Sequence, residues 1–411
     1  MDETTLRRAL SGTLVHEPPI GPMAQNALRA GIRLRRRRRA LGIAGGVAAA
    51  AAIAVAIPAV TGPLRTPAAG GAGAFTVYVS SGSTGTVTAI TVGANTSRHA
   101  IKVGQGFGAM AITPNGKTVY VTNWGGKVTP IATATDTPGK PIKVGAVPVA
   151  IAITPDGKTA YVVNCFSGTV TPISTATNIP GRPIAVGRDP QRIAITPDGK
   201  TAYVTNAGSG TVTPITIATN TPGKPINVSD LGTVNIAITP DGKTAYVDGP
   251  PPPRGNSLIP ITTATNTLGK PIPVGAGPIA FAITPNSKTV YVINNASNTV
   301  TPVSTATNTP GRPIKVGDGP LAIAITPDGK TVYVANFHSD TVTPISTATN
   351  TPGKPIKVGD GPTAIAITPD GKTAYVINKT AHTVTPITIA TNTPGKPIWV
   401  GNGLTTMVIT P

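Results

Sequence analysis

Three observations predict an all-β fold of four-stranded sheets arranged radially, a β-propeller. One sequence unit returns about every 42 residues, a length in the range of propeller blades. Each unit holds four short apolar runs separated by Pro, Asp, Asn and Gly. The last unit stops where the first one is incomplete. The register is kept by an ITP triplet ending at Pro114, Pro155, Pro197, Pro240, Pro285, Pro327, Pro369 and Pro411, and by a YV dipeptide at Tyr78, Tyr120, Tyr161, Tyr203, Tyr246, Tyr291, Tyr333 and Tyr375. Such a repeat overrides a domain count taken from the length of 411 residues.

The seventh copy shows the four elements in order. LAIAIT is the first strand, alternating Ile with small Ala as a crowded position near an axis requires. The turn Pro327-Asp328-Gly329 presets φ at proline and gives glycine the left-handed position. TVYVAN is the second strand, TVTPIST the third and PIKVG a short fourth. Apolar residues on both faces of these runs predict sheets sandwiched between neighbouring sheets. Composition agrees: charged residues are 12% and aromatics 4%, while Gly and Pro number 47 and 44. Burial falls to Ile, Val and Ala.

One feature conflicts with a plain four-stranded ladder. Proline sits inside the third strand at Pro130, Pro172, Pro214, Pro260, Pro302, Pro344 and Pro386, where a donor is missing. Either the fourth strand fails to reach that point or the strand bulges there.

The chain ends explain each other. FTVYVS opens at Phe75 on a second strand, and GLTTMVITP at the carboxy terminus is an innermost strand without followers. Pairing the two closes eight blades into a ring, whereas seven blades and a spare unit would leave a sheet edge exposed.

The repeated PDGKTxYVxN and TVTPIxTATNTPGKPIxVG resemble the YVTN-type β-propeller repeat of bacterial and archaeal surface and secreted proteins, over residues 75–411. That resemblance implies the fold. For function it implies only a range that includes binding modules and surface-layer components. Blade 5 departs from the pattern with YVDGPPPPRGNSLIPI, and blade 1 lacks the third-strand proline.

Ahead of the repeats, residues 1–39 form a basic segment ending in RLRRRRR at Arg33–Arg39. Residues 40–62 follow without a charge and read as a transmembrane signal-anchor, because roughly 20 apolar residues span a bilayer. The cationic flank predicts a cytoplasmic amino terminus and a propeller outside the cell. Residues 63–74 read as a flexible tether. The alternative is secretion after cleavage near Ala74, at the small-residue run Ala72-Gly73-Ala74.

Charge and cysteine usage narrow the chemistry. The formal charge is +19, and both glutamates, Glu3 and Glu17, precede the repeats. The lone Cys165 excludes an intrachain disulfide, and no Cys/His cluster has zinc-ligand spacing. No cofactor, metal or catalytic residue is expected, since general acid/base work wants paired carboxylates or a histidine with a partner.

Comparing the copies with one another separates two ends of the ring. Loops joining strands one to two and three to four are nearly invariant. Loops joining strands two to three all differ, and they share an end with the links between blades. Ligand-binding candidates at that diversified end are Trp124, Phe166, Arg188, Asp189, Arg192, Arg254, Asp318, Phe337, His338, Asp340, Asp360 and His382. The invariant end carries a ring of lysines and arginines from Lys117 to Lys396. The expected role is a membrane-tethered, extracytoplasmic, non-enzymatic binding or scaffold module for a protein or an anionic surface polymer, with the propeller itself monomeric. Two alternatives remain at this stage: a lactonase-like, metal-assisted hydrolase at the central opening, and binding of nucleic acid or another polyanion by the basic end.

Overall fold

The computed structural model describes residues 75–106, 108–228, 232, 234–249 and 256–411. The basic segment, the apolar stretch 40–62, the tether and the Pro250–Arg254 insertion lie outside the described residues. Among those described, no helix is long and apolar enough to cross a membrane.

Eight antiparallel sheets follow one another along the chain, and each is a blade. In blade 4 the strands are Pro190–Ile195, Thr201–Asn206 and Thr211–Thr216, with the outermost pairing supplied by Thr221–Pro222 and Ile226–Asn227. Each innermost strand touches the next, from Met110–Ile112 in blade 2 round to Leu404–Ile409 and back to Met110–Ile112. The ring therefore closes as the chain ends predict. Leu404–Ile409 pairs with Thr76–Ser81, setting Val77 opposite Ile409 and Val79 opposite Met407. Thr410 N donates to Thr76 O at 3.0 Å, and Thr76 N returns a bond to Thr410 Oγ1 at 2.9 Å.

The third-strand prolines are accommodated by a split fourth strand. In blade 2, Thr137–Pro138 pairs with Ile131 and Ala132, while Ile142–Lys143 pairs with Lys127 and Val128. Pro130 faces the break between the two pieces, so its missing N–H costs no ladder bond. Its carbonyl accepts Gly139 N at 2.7 Å. A side chain on that glycine would meet the proline ring, and in blade 5 a Cβ on Gly269 would lie 2.7 Å from Pro260 Cγ. The PGKP glycine is thus fixed by the proline opposite. Blade 1 has Ala89 instead, and its outer strand runs unbroken from Thr96 to Lys102 with one bulge.

The core lies between blades. Tyr120 and Val128 of blade 2 cluster with Ile151, Ala160, Val162 and Ile173 of blade 3. At the seam, Tyr375, Ile377 and Val384 of blade 8 cluster with Val77, Val79 and Ile90 of blade 1. All eight YV tyrosines are fully buried. Each hydroxyl donates to the side chain at the TATN asparagine position of the next blade, as Tyr161 does to Asn220 Oδ1 at 2.6 Å and Tyr333 to Asn392 Oδ1 at 2.6 Å. Those asparagines sit at φ between 52° and 57°, a region that asparagine tolerates better than most residues. An acceptor and a left-handed backbone are needed together. Asparagine supplies both.

Candidate functional site at the diversified end

Hydrogen bonds confirm which loops share an end. The link into blade 3 is zipped to that blade's second-to-third-strand loop, with Cys165 N donating to Val147 O at 3.0 Å, and the same bond recurs from Phe337 N to Gly319 O at 2.8 Å. On the other end, Thr133 N of a third-to-fourth-strand loop donates to Lys117 O of a first-to-second-strand turn at 3.0 Å.

The invariant end is explained by structure. In the turn of blade 3, Thr154 Oγ1 and Lys158 N both donate to Asp156 Oδ1, at 2.6 and 3.0 Å, and these bonds hold the carboxyl below its ordinary range. Lys158 approaches Asp156 only at 3.6 Å with its side chain 82% exposed, so the pair adds little. Asp136 replaces the TATN asparagine in blade 2. It accepts from Tyr78 at 2.7 Å and is paired with Arg98 at 2.8 Å, a residue on the outer strand peculiar to blade 1.

The candidates at the diversified end fall into groups. Trp124 and Phe166 come from the adjacent blades 2 and 3 and are 51% and 78% exposed. Asp189 Oδ1 accepts from Cys165 Sγ at 2.8 Å and Gln191 Nε2 at 2.6 Å. Arg188 lies beside them, its Nη2 donating to Gly208 O at 3.1 Å. Asp318 Oδ1 accepts from Asn298 Nδ2 at 2.8 Å, and Phe337 meets His338 edge to face with centroids 5.0 Å apart. Asp340 Oδ1 caps Gly361 N at 2.8 Å, and Asp360 gives its backbone carbonyl to Ala381 N. His382 stands at φ 59°, with Nδ1 buried and without a hydrogen bond. Arg254 lies outside the described residues. Among those described, no three His, Cys, Asp or Glu side chains group closely enough to hold a metal ion.

Arg192 sits deeper than the rest. It occupies the inner-strand position held by Ala150, Ala280, Ala322 and Ala364 in other blades, each of them buried. Burial pulls its guanidinium below the ordinary value, and the carboxylate of Asp248 pushes back. Asp248, in blade 5, takes the second-strand position of Thr205 and is buried. Burial raises its carboxyl to about 6, against donation from Val234 N and Asn235 N at 2.8 Å and from Asn235 Nδ2 at 2.9 Å. A relay joins the two: Arg192 N donates to Thr205 Oγ1 at 3.1 Å, and Thr205 Oγ1 donates to Val234 O at 2.7 Å. Asp248 and Asn235 are absent from the residues that loop comparison selects. The signal was YVD in place of YVxN, directly before the proline-rich insertion of blade 5.

Eight four-stranded blades closed by the carboxy-terminal strand define a β-propeller. Residues 275–357, which span blades 6 and 7, match the family model "YNCE-like beta-propeller". With the same motif in register round the ring, this is a propeller of the YVTN type. Among curated proteins, none matches the chain. Of solved structures, a chain of Kuenenia stuttgartiensis hydrazine synthase is 25% identical with a TM-score of 0.56, over 68% of this chain and 95% of that one. Dihydro-heme d1 dehydrogenase NirN is 14% identical with a TM-score of 0.69, over 81% and 74%. Citrobacter koseri AztD is 12% identical with a TM-score of 0.64, over 82% and 97%. The last two likenesses are of fold.

Proposed function

We propose that this protein is a membrane-tethered, extracytoplasmic propeller that acts as a non-enzymatic binding module through its diversified end. The observation that carries the reading is the division of labour between the ends. The invariant turn aspartates and TATN asparagines make side-chain bonds that hold the frame, whereas Trp124 and Phe166 project from neighbouring blades as large, exposed apolar groups. Exposed aromatics set on a rigid frame suit recognition of a partner. Intrachain closure makes the ring complete as a single copy.

Proximity labelling outside intact cells tests this, comparing the wild type with Trp124→Ser/Phe166→Ser. Loss of specific neighbours in the variant supports the reading, and an unchanged set of labelled neighbours removes it. Calorimetric titration of the full chain with divalent metal separates the hydrolase alternative, since a stoichiometric ion at the central opening would favour that instead.

A further inference from the structure

A cleft of about 500 Å³ opens between blades 1 and 2 at the perimeter of the diversified end, lined by Lys102, Gln105, Asn123, Lys127, Thr129 and Pro138 among others. One departure from the repeat lies there. Lys127 begins a third strand where the other blades have Thr86, Thr169, Thr211, Ser257, Thr299, Thr341 and Thr383. In blade 3 the YVxN asparagine spends Nδ2 on the hydroxyls of Thr169 and Thr171, whereas Asn123 turns its Nδ2 to Val103 O at 3.2 Å. Gln105 comes from the link into blade 2, at a position that differs from blade to blade. No carboxylate lines the cleft.

Two ammonium groups facing one cleft without an acid leave its potential positive, and a bound anion relieves that. The volume is that of a small-molecule site. Its lining is mixed: Val103, Pro138 and Pro141 contribute apolar surface that suits the C–H face of a ring, Asn123 and Thr129 already donate to Val103 O, and Gln105 presents an exposed amide. Trp124 stands on the same loop as Asn123, with half its surface open to receive the C–H face of a sugar ring.

We propose that this cleft binds an anionic sugar, its carboxylate or phosphate held by Lys102 and Lys127 and a hydroxyl by the amide of Gln105. The inference rests on the reading that the diversified end is the recognition surface, and it assigns that surface a ligand class. Isothermal titration of the full-length chain with glucuronate, glucose 6-phosphate, inorganic phosphate and glucose tests it. Either charged sugar is expected to bind and glucose not to, with affinity falling at least about tenfold in Lys102→Met/Lys127→Thr, a change that restores the repeat residue at 127. Lys330→Glu/Lys372→Glu, on the opposite end, is expected to leave binding unchanged. The proposal is overturned if neither charged sugar binds at about 10 mM, if inorganic phosphate binds as tightly as the sugars, or if the opposite-end variant weakens binding equally. If labelling still depends on Trp124 and Phe166 while no sugar binds, the module reading survives and the ligand class falls.

Discussion

Tyr375 donates its hydroxyl to Asn95 Oδ1 at 2.8 Å, joining blade 8 to blade 1 across 280 positions of sequence. The other seven tyrosines make the same bond to a partner 58 to 63 positions away. The seam is chemically a junction like any other. Tyr375→Phe is therefore expected to cost about 1–2 kcal/mol by leaving a part-buried acceptor unpaired, and Tyr203→Phe a similar amount. Asn95→Ala costs roughly 1–2 kcal/mol more, because alanine pays for the left-handed backbone. Denaturant midpoints measure all three. A neutral Tyr375→Phe alongside a costly Tyr203→Phe would show that the seam is open in solution.

Removing Leu404–Pro411 takes away the innermost strand of blade 1. Leu404, Met407 and Ile409 are buried, and burial of such side chains is worth about 1.5–3 kcal/mol each. Their sum rivals the whole stability of an ordinary domain. The truncated chain is expected to lose most of its thermal resistance and to associate through the bare edge of Thr76–Ser81. Light scattering and thermal melting report both. A monomer with an unchanged midpoint would contradict closure by this strand.

Asp248 predicts a pH dependence. Its folded carboxyl is raised to about 6 from an ordinary 3.8, so the fold holds the proton more tightly than the unfolded chain does. The associated stability is complete below pH 3.8 and is lost as pH rises through about 6, on the order of 3 kcal/mol for a shift of about two units. The difference in unfolding free energy between wild type and Asp248→Asn should accordingly move in favour of the variant between about pH 4 and pH 7. Turn aspartates such as Asp156 and Asp198, whose carboxyls are lowered, act in the opposite sense but are common to both chains. Arg192→Ala removes the positive charge near the carboxylate and should steepen the wild-type trend. A difference independent of pH would mean that Asp248 titrates normally.

Cys165 should be inert. Burial, then its bond to Asp189, pushes the thiol up to about 12, leaving a thiolate fraction near one in ten thousand at pH 8. An aromatic disulfide reagent is expected to read no thiol in the native chain and one after denaturation. Asp189→Ala should speed the native reaction. Rapid native labelling of the wild type would place the thiol at the surface.

The strands, the turn chemistry and the closing partner were legible because each depends on residues repeated in register. Proline in the third strand and glycine nine residues later were both visible, but their contact was not. Sequence left two resolutions open, a short fourth strand or a bulge, and the fold uses a break in the fourth strand. Loop comparison found Arg192 and missed Asp248, since a loop criterion cannot see a charge buried between sheets. Two paired departures were nevertheless written in the chain: Asp136 with Arg98, and Arg192 with Asp248.

The sequence by itself determined the length of the repeat, the order of strands within it and which loops were free to vary, because these follow from local periodicity and turn geometry, while the pairing of the two chain ends settled eight blades. Tertiary structure alone decided which departures meet. Residues as remote as Tyr375 and Asn95, or Lys102 and Lys127, become neighbours only when radial packing brings the face of one blade against the next, and no local rule of side-chain spacing encodes that distance.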